Sequence, residues 1–202
     1  CFDLCLMLYH RNPKNPIINV RSFGSDKCNV AEKSIQFMRG LQDAGIIACA
    51  KHFCGHGDTS VDSHIDLPVI AHGLERLHDF ELYPFKQLIK AGIKAIMTAH
   101  IHVPVIDNRL NMPITLSNNA INNLLRKQLN FSGLVITDAL NMQSISKYFN
   151  PGEVEIEAFL AGNDILLMSE NVSAAISNFK KAIDLGRISL DDLDMRILKI
   201  LK

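Results

Sequence analysis

Between Ala50 and Pro68 the chain reads AKHFCGHGDTSVDSHIDLP, which puts Lys51, His52, His56, His64, Asp58, Asp62 and Asp66 into one short run. Imidazole titrates near neutrality and a nearby carboxylate can fix its tautomer, so the run has the parts of a proton-transfer site. Histidine and aspartate are also zinc ligands. His52 and His56 stand at i, i+4, and His100 and His102 form a second pair, so a metal-dependent hydrolase is one reading. Gly55 and Gly57 disfavour a helix through His52 and His56, which removes the reason for that spacing to converge. No metal site and no cofactor are expected. His56 and the glycines beside it are read as shaping the loop, and His100 and His102 are left outside the catalytic set.

The elements that must position these residues are short apolar runs alternating with amphipathic ones. Residues 2–9, 46–50, 93–99, 134–137 and 164–168 read as strands; residues 29–44, 74–91, 117–129, 153–161, 174–185 and 190–201 read as helices. Such alternation argues for parallel βα units. Lys51 and His52 follow one strand, His100 another and Asp138 a third, and in a (β/α)8 barrel the strands' C-terminal ends carry the active site. An open doubly wound sheet obeys a similar rule. Neither of its glycine-rich nucleotide fingerprints occurs here. About five strands are found where a closed barrel needs eight, so residues 1–202 are read as one partial domain, an incomplete α/β TIM barrel lacking its N-terminal strands.

Bulk composition narrows the ligand. With 21 basic and 21 acidic residues the formal charge is zero, so the sequence has no electrostatic footprint for nucleic acid or an anionic membrane. A neutral, compact ligand fits better. No apolar run approaches eighteen residues, so neither a signal peptide nor a membrane span is expected. The cysteines are odd in number, and Cys1, Cys5 and Cys49 lie in apolar surroundings, as free thiols in a reducing compartment do.

Lys51-His52-Phe53, Gly55 to Thr59, Asp62-Ser63-His64 and Leu67-Pro68 resemble the signature K-H-F-P-G-H-G-D-T-x-x-D-S-H-x-x-L-P of the glycoside hydrolase family 3 β-N-acetylglucosaminidases. The run Gly133 to Met142, GLVITDALNM, is similar to that family's nucleophile strand. Asn12-Pro13-Lys14-Asn15-Pro16, Val20 to Gly24 and Tyr83-Pro84-Phe85-Lys86 extend the resemblance over nearly the whole chain. It implies Asp138 as catalytic nucleophile, His64 as general acid/base and Asp62 as its hydrogen-bonded partner. It implies that Arg21, Lys51 and His52 hold the sugar. The substrate implied is a terminal β-linked N-acetylglucosamine, from muropeptides or chitin-like oligosaccharides, and closing the barrel requires a further N-terminal segment. The family works in the cytoplasm or at the cell envelope, and the cytoplasm is the first expectation.

These types suit the chemistry. A retaining glycosidase needs a group to protonate the leaving oxygen and a carboxylate to form a covalent intermediate; here the first would be an imidazole. Unlike a carboxylate, an imidazole would not repel an anionic acceptor, so phosphate could take the place of water and release a sugar 1-phosphate. Two departures support a different reading, that of an inactive fragment or degenerate copy serving as a binding or structural module: Cys54 stands where the signature has proline, and Leu8 where the family has an acidic residue.

Overall fold

The computed structural model describes residues 5–7, 22–56 and 66–201. Four strands form one parallel sheet in chain order: β1 (Cys5–Met7), β2 (Cys49–Phe53), β3 (Ala95–Thr98) and β4 (Leu134–Thr137). Helix α1 (Lys27–Asp43) links the first pair. Helices α2 (Leu74–Asp79) and α3 (Tyr83–Lys90) link the second, and a helix with π-type bonding, Asn119–Gln128, links the third. After β4 come α4 (Gln143–Ser146), α5 (Glu153–Ala161), α6 (Val172–Asp184) and α7 (Leu190–Leu201).

Strands β3 and β4 are largely buried on both faces, which is why they read as continuous apolar runs rather than alternating ones. Ala50, Ile96 and Val135 face the helices, packing with Val30, Met38, Phe85, Leu88, Ile121 and Leu125. Cys49, Ala95, Met97 and Ile136 face the other way, with Ile165 and Leu167 against them.

Three elements differ from their sequence reading. Strand β2 begins three residues later than expected and runs through Lys51 and His52 to Phe53. Gly45, at φ +77°, ends the turn after α1, and Ile46 bonds back to Leu41, so Ile46 and Ile47 connect the two elements and stay exposed. The run 74–91 is two helices. Pro84 has no N–H to bond one turn back, so the chain breaks at Phe80 to Leu82 and restarts with Pro84 in the first turn of α3.

The run 164–168 is the third. It makes one parallel bridge, Ile136 to Ile165, beside β4. Thr137 N–H donates to the Ile165 carbonyl at 3.0 Å, but the Leu167 N–H turns to the Thr137 hydroxyl at 2.8 Å, and Met168 points to solvent with φ +50°.

Side-chain caps close three helix starts. Asp26 caps α1 through Asn29 N–H at 2.8 Å. Ser117 accepts from Ala120 N–H at 3.1 Å, and Ser189 accepts from Asp192 N–H at 3.0 Å. Cys49 and Cys54 are free and buried, whereas Cys28 is free and exposed. Among the described residues no helix is long and apolar enough to cross a membrane.

Candidate active site

Lys51 and His52 reach the C-terminal end of the sheet on a strand whose pairing with β3 is irregular: Ala50 pairs with Ile96, but Phe53 already pairs with Thr98. A bulge of this kind re-aims the residues inside it. Phe53, fully buried, locks the far side by an edge-on contact with Phe85 at 5.3 Å between ring centres.

Asp138 is the first residue after β4. Its N–H extends the ladder to the Thr98 carbonyl at 3.1 Å, and its own carboxylate accepts from the Ala139 N–H through Oδ1 at 2.9 Å. That leaves Oδ2 facing His52, whose Nε2 is 3.5 Å away. The separation is that of an ion pair rather than a good hydrogen bond. Burial is the largest influence on this carboxyl and pushes its pKa up, but attraction to His52 and His100, the Ala139 N–H and Lys51 together hold it below the ordinary carboxylate value. Asp138 is therefore an anion at neutral pH, partly open to the face where the strands end.

His56 packs edge-on against His52 at 5.9 Å and is buried. His100, directly after β3, is fully buried with both ring nitrogens engaged: Nδ1 lies 2.8 Å from the Thr115 hydroxyl and Nε2 lies 2.9 Å from the Ala139 carbonyl. Burial pushes its pKa down. His102 is structural, bonding the Met112 carbonyl through Nδ1 at 3.0 Å and bridging Val69 and Pro113.

Beneath these rings Asn163, fully buried, donates to the carbonyls of Thr115 at 2.9 Å and Ala158 at 2.6 Å and accepts from the Thr98 hydroxyl at 3.1 Å. Sequence reasoning left His100 outside the site and gave no signal for Thr115 or Asn163. The position of His100 at a strand's C-terminal end was the available clue.

The structure thus brings Lys51, His52 and Asp138 to one end of the sheet. Arg21, Asp62 and His64, with Asp58 and Leu8, lie outside the described residues. The run containing Asp62 and His64 is bounded by described neighbours. Gly55 N–H turns back onto the His52 carbonyl at 2.7 Å; on the far side, the Pro68 carbonyl accepts from His102 N–H at 2.8 Å. Cys54, in place of the signature proline, is fully buried, and burial pushes its thiol up to about 12, so it is no nucleophile at neutral pH. Among the described residues no group of histidine, cysteine and carboxylate side chains is arranged to hold a metal ion.

A parallel βα sheet with a buried carboxylate and an imidazole at the strands' C-terminal ends is part of a TIM-barrel-like α/β domain. The glycosyl hydrolase family 3 N terminal domain matches residues 9–202, and the chain belongs to that family.

β-Hexosaminidase A from Pseudoalteromonas piscicida is 37% identical over 95% of this chain and 35% of its own length. A solved glycoside hydrolase family 3 β-N-acetylglucosaminidase from Paenibacillus sp. str. FPU-7 is 42% identical, with a TM-score of 0.92 over 98% of this chain and 38% of that one. The β-glucoside phosphorylase BglX, 27% identical, superposes with a TM-score of 0.90 over 98% of this chain and 37% of its own. The chain therefore spans little more than a third of these relatives.

Proposed function

We propose that this chain forms part of the catalytic barrel of a retaining exo-β-N-acetylglucosaminidase, acting on terminal β-linked N-acetylglucosamine of muropeptides or chitin-like oligosaccharides. The observation that carries the reading is the ionised Asp138, held after β4 with one carboxylate oxygen on the Ala139 N–H and the other facing His52. The names of the relatives support the substrate class.

In this mechanism Asp138 attacks the anomeric carbon as His64 protonates the departing glycosidic oxygen, giving a covalent glycosyl–Asp138 ester. His64, now neutral, removes a proton from water, which attacks the same carbon, breaks the ester and restores both residues. Asp62 orients the His64 ring and stabilises its cation. Arg21, Lys51 and His52 donate to the sugar and keep Asp138 ionised. A further polypeptide segment, supplying the strands that four cannot, closes the barrel around the site.

The test is turnover of a chromogenic β-N-acetylglucosaminide by the full-length polypeptide and its variants. Asp138→Asn is expected to abolish turnover; near-parent activity would sink the nucleophile assignment. His64→Ala is expected to lose far less on substrates whose leaving group needs no proton, whereas equal losses on activated and unactivated substrates contradict the acid role. Product analysis in phosphate buffer separates hydrolysis from phosphorolysis, the activity named for BglX.

A further inference from the structure

His100 is fully buried at the active end of the sheet with neither ring nitrogen facing solvent. A carbonyl oxygen can only accept, so the 2.9 Å contact with Ala139 requires the proton on Nε2. Nδ1 lies 2.8 Å from the Thr115 hydroxyl, which itself donates to the Ala99 carbonyl at 2.8 Å, so Thr115 ties the ring to the end of β3. Thr115 is itself placed from below, because Asn163 holds its carbonyl at 2.9 Å. The chain of contacts from Asn163 through Thr115 to His100 ends on one backbone group, and that group belongs to the residue following Asp138.

Ala139 is gripped at both ends. Its N–H binds Asp138 Oδ1 at 2.9 Å and its carbonyl binds His100. The next residue, Leu140, is tied to the Leu167 carbonyl at 2.9 Å. The Ala139 carbonyl and the Leu140 N–H share one peptide plane, held at one end by His100 and at the other by Leu167, and that plane adjoins the Ala139 Cα whose N–H fixes the Asp138 carboxylate. We propose, building on the reading of Asp138 as nucleophile, that His100 is a positioning residue: its Nε2–H, on a ring held in place by Thr115, holds the turn that aims the Asp138 carboxylate at the anomeric carbon.

Positioning of a nucleophile acts on the chemical step, because small displacements of reacting atoms cost about a hundredfold in rate while leaving ground-state contacts in place. In the full-length polypeptide, His100→Phe is expected to lower kcat on an aryl β-N-acetylglucosaminide about a hundredfold, with KM changed by less than about threefold. His100→Gln, whose amide N–H can reach for the same carbonyl, should recover roughly tenfold of that loss. Thr115→Val, which removes the hydroxyl that holds the His100 ring, should lower kcat by about three- to tenfold at unchanged KM.

Kinetics are compared per folded molecule, with folding read from a cooperative melt. A kcat for His100→Phe within about threefold of the parent, a loss wholly in KM, or a His100→Gln variant no better than phenylalanine overturns the proposal. If His100→Phe does not fold, Thr115→Val decides, and unchanged kcat there overturns it. Asp138→Asn is run alongside. If it retains turnover, the nucleophile reading fails and takes this inference with it. If it is dead while His100→Phe is active, only this inference fails.

Discussion

Asp138 Oδ2 lies 3.5 Å from His52 Nε2, an arrangement that keeps a largely buried carboxylate charged. Its pKa stands below the ordinary carboxylate value of 3.8 because the charge and dipole of its neighbours outweigh burial. A carboxyl depressed in the folded state stabilises the fold above its unfolded value and loses that contribution as pH falls through the folded value. Asp138, the proposed nucleophile, therefore stays ionised across the whole range in which an imidazole acid/base would work. His52→Gln removes the imidazole that faces Asp138 and helps to hold its pKa down, so the acid limb of kcat/KM should move to higher pH; a profile unmoved by the substitution contradicts the pairing. Asp138→Asn should lower kcat by at least about a thousandfold.

Gly55 is expected to tolerate no side chain. Its φ is +122°, which L side chains rarely adopt, and an added Cβ would stand 2.8 Å from the Glu81 Cβ, inside the core. Glu81 cannot retreat, since it is almost fully buried beneath the turn. Gly55→Ala should therefore displace the start of the loop that carries Asp62 and His64. The expected result is a fall in kcat of about tenfold or more, exceeding any loss of Tm. Parent-level kinetics in the alanine variant would show that the loop's start can move without consequence.

What could be read without the structure followed from local physics. Strand β4 and helices α5 and α7 match their sequence bounds, because an apolar run or a cap marks each end. Apolarity alone puts strand β2 too early, because Ile46 and Ile47 are more apolar than Lys51 and His52. The sheet register decides the matter, and register is a tertiary property. The apolar spacing of 74–91 predicts one helix, and Pro84 divides it. Lys51, His52 and Asp138 were legible as strand-end residues. The His100–Ala139 contact was not, because it joins positions 39 residues apart and one partner is a backbone carbonyl.

Ser117 and Asp107 form a second buried polar unit, remote in role from the chemistry. Ser117 Oγ donates to Asp107 Oδ2 at 2.6 Å while accepting from Ala120 N–H, so it caps the helix Asn119–Gln128 and ties it to the preceding loop. Arg109 grips the same carboxylate through Nε at 2.9 Å and Nη2 at 2.6 Å. These bonds, Arg109 foremost, hold the Asp107 pKa at about 2. Its stabilising contribution is complete above 3.8 and is lost as pH falls towards about 2. In the full-length polypeptide, Asp107→Asn should lower Tm at neutral pH and flatten its dependence on pH across that window. Ser117→Ala should cost about 1–2 kcal/mol through the lost cap and the lost bond to the carboxylate. Acid melting curves that superpose for parent and Asp107→Asn would count against this account.

The last expectation concerns the chain by itself. Four paired strands cannot close a barrel that takes eight, and the sheet's described edges are β1 and, beyond β4, the single bridge at Ile165. No residue of α7 is buried, and Met195, Leu198 and Leu201 are more than half exposed. Beside it a groove of about 390 Å³ is lined by Phe159, Leu166, Ile176, Phe179, Ile183 and Ile197. Unpaired strand edges and apolar surface of this kind favour self-association. The 202-residue chain alone should therefore sediment as concentration-dependent oligomers or aggregates, and the full-length polypeptide should not. A monomer with a sharp cooperative melt, measured by sedimentation and circular dichroism on the same sample, would show that the sheet needs no further strands.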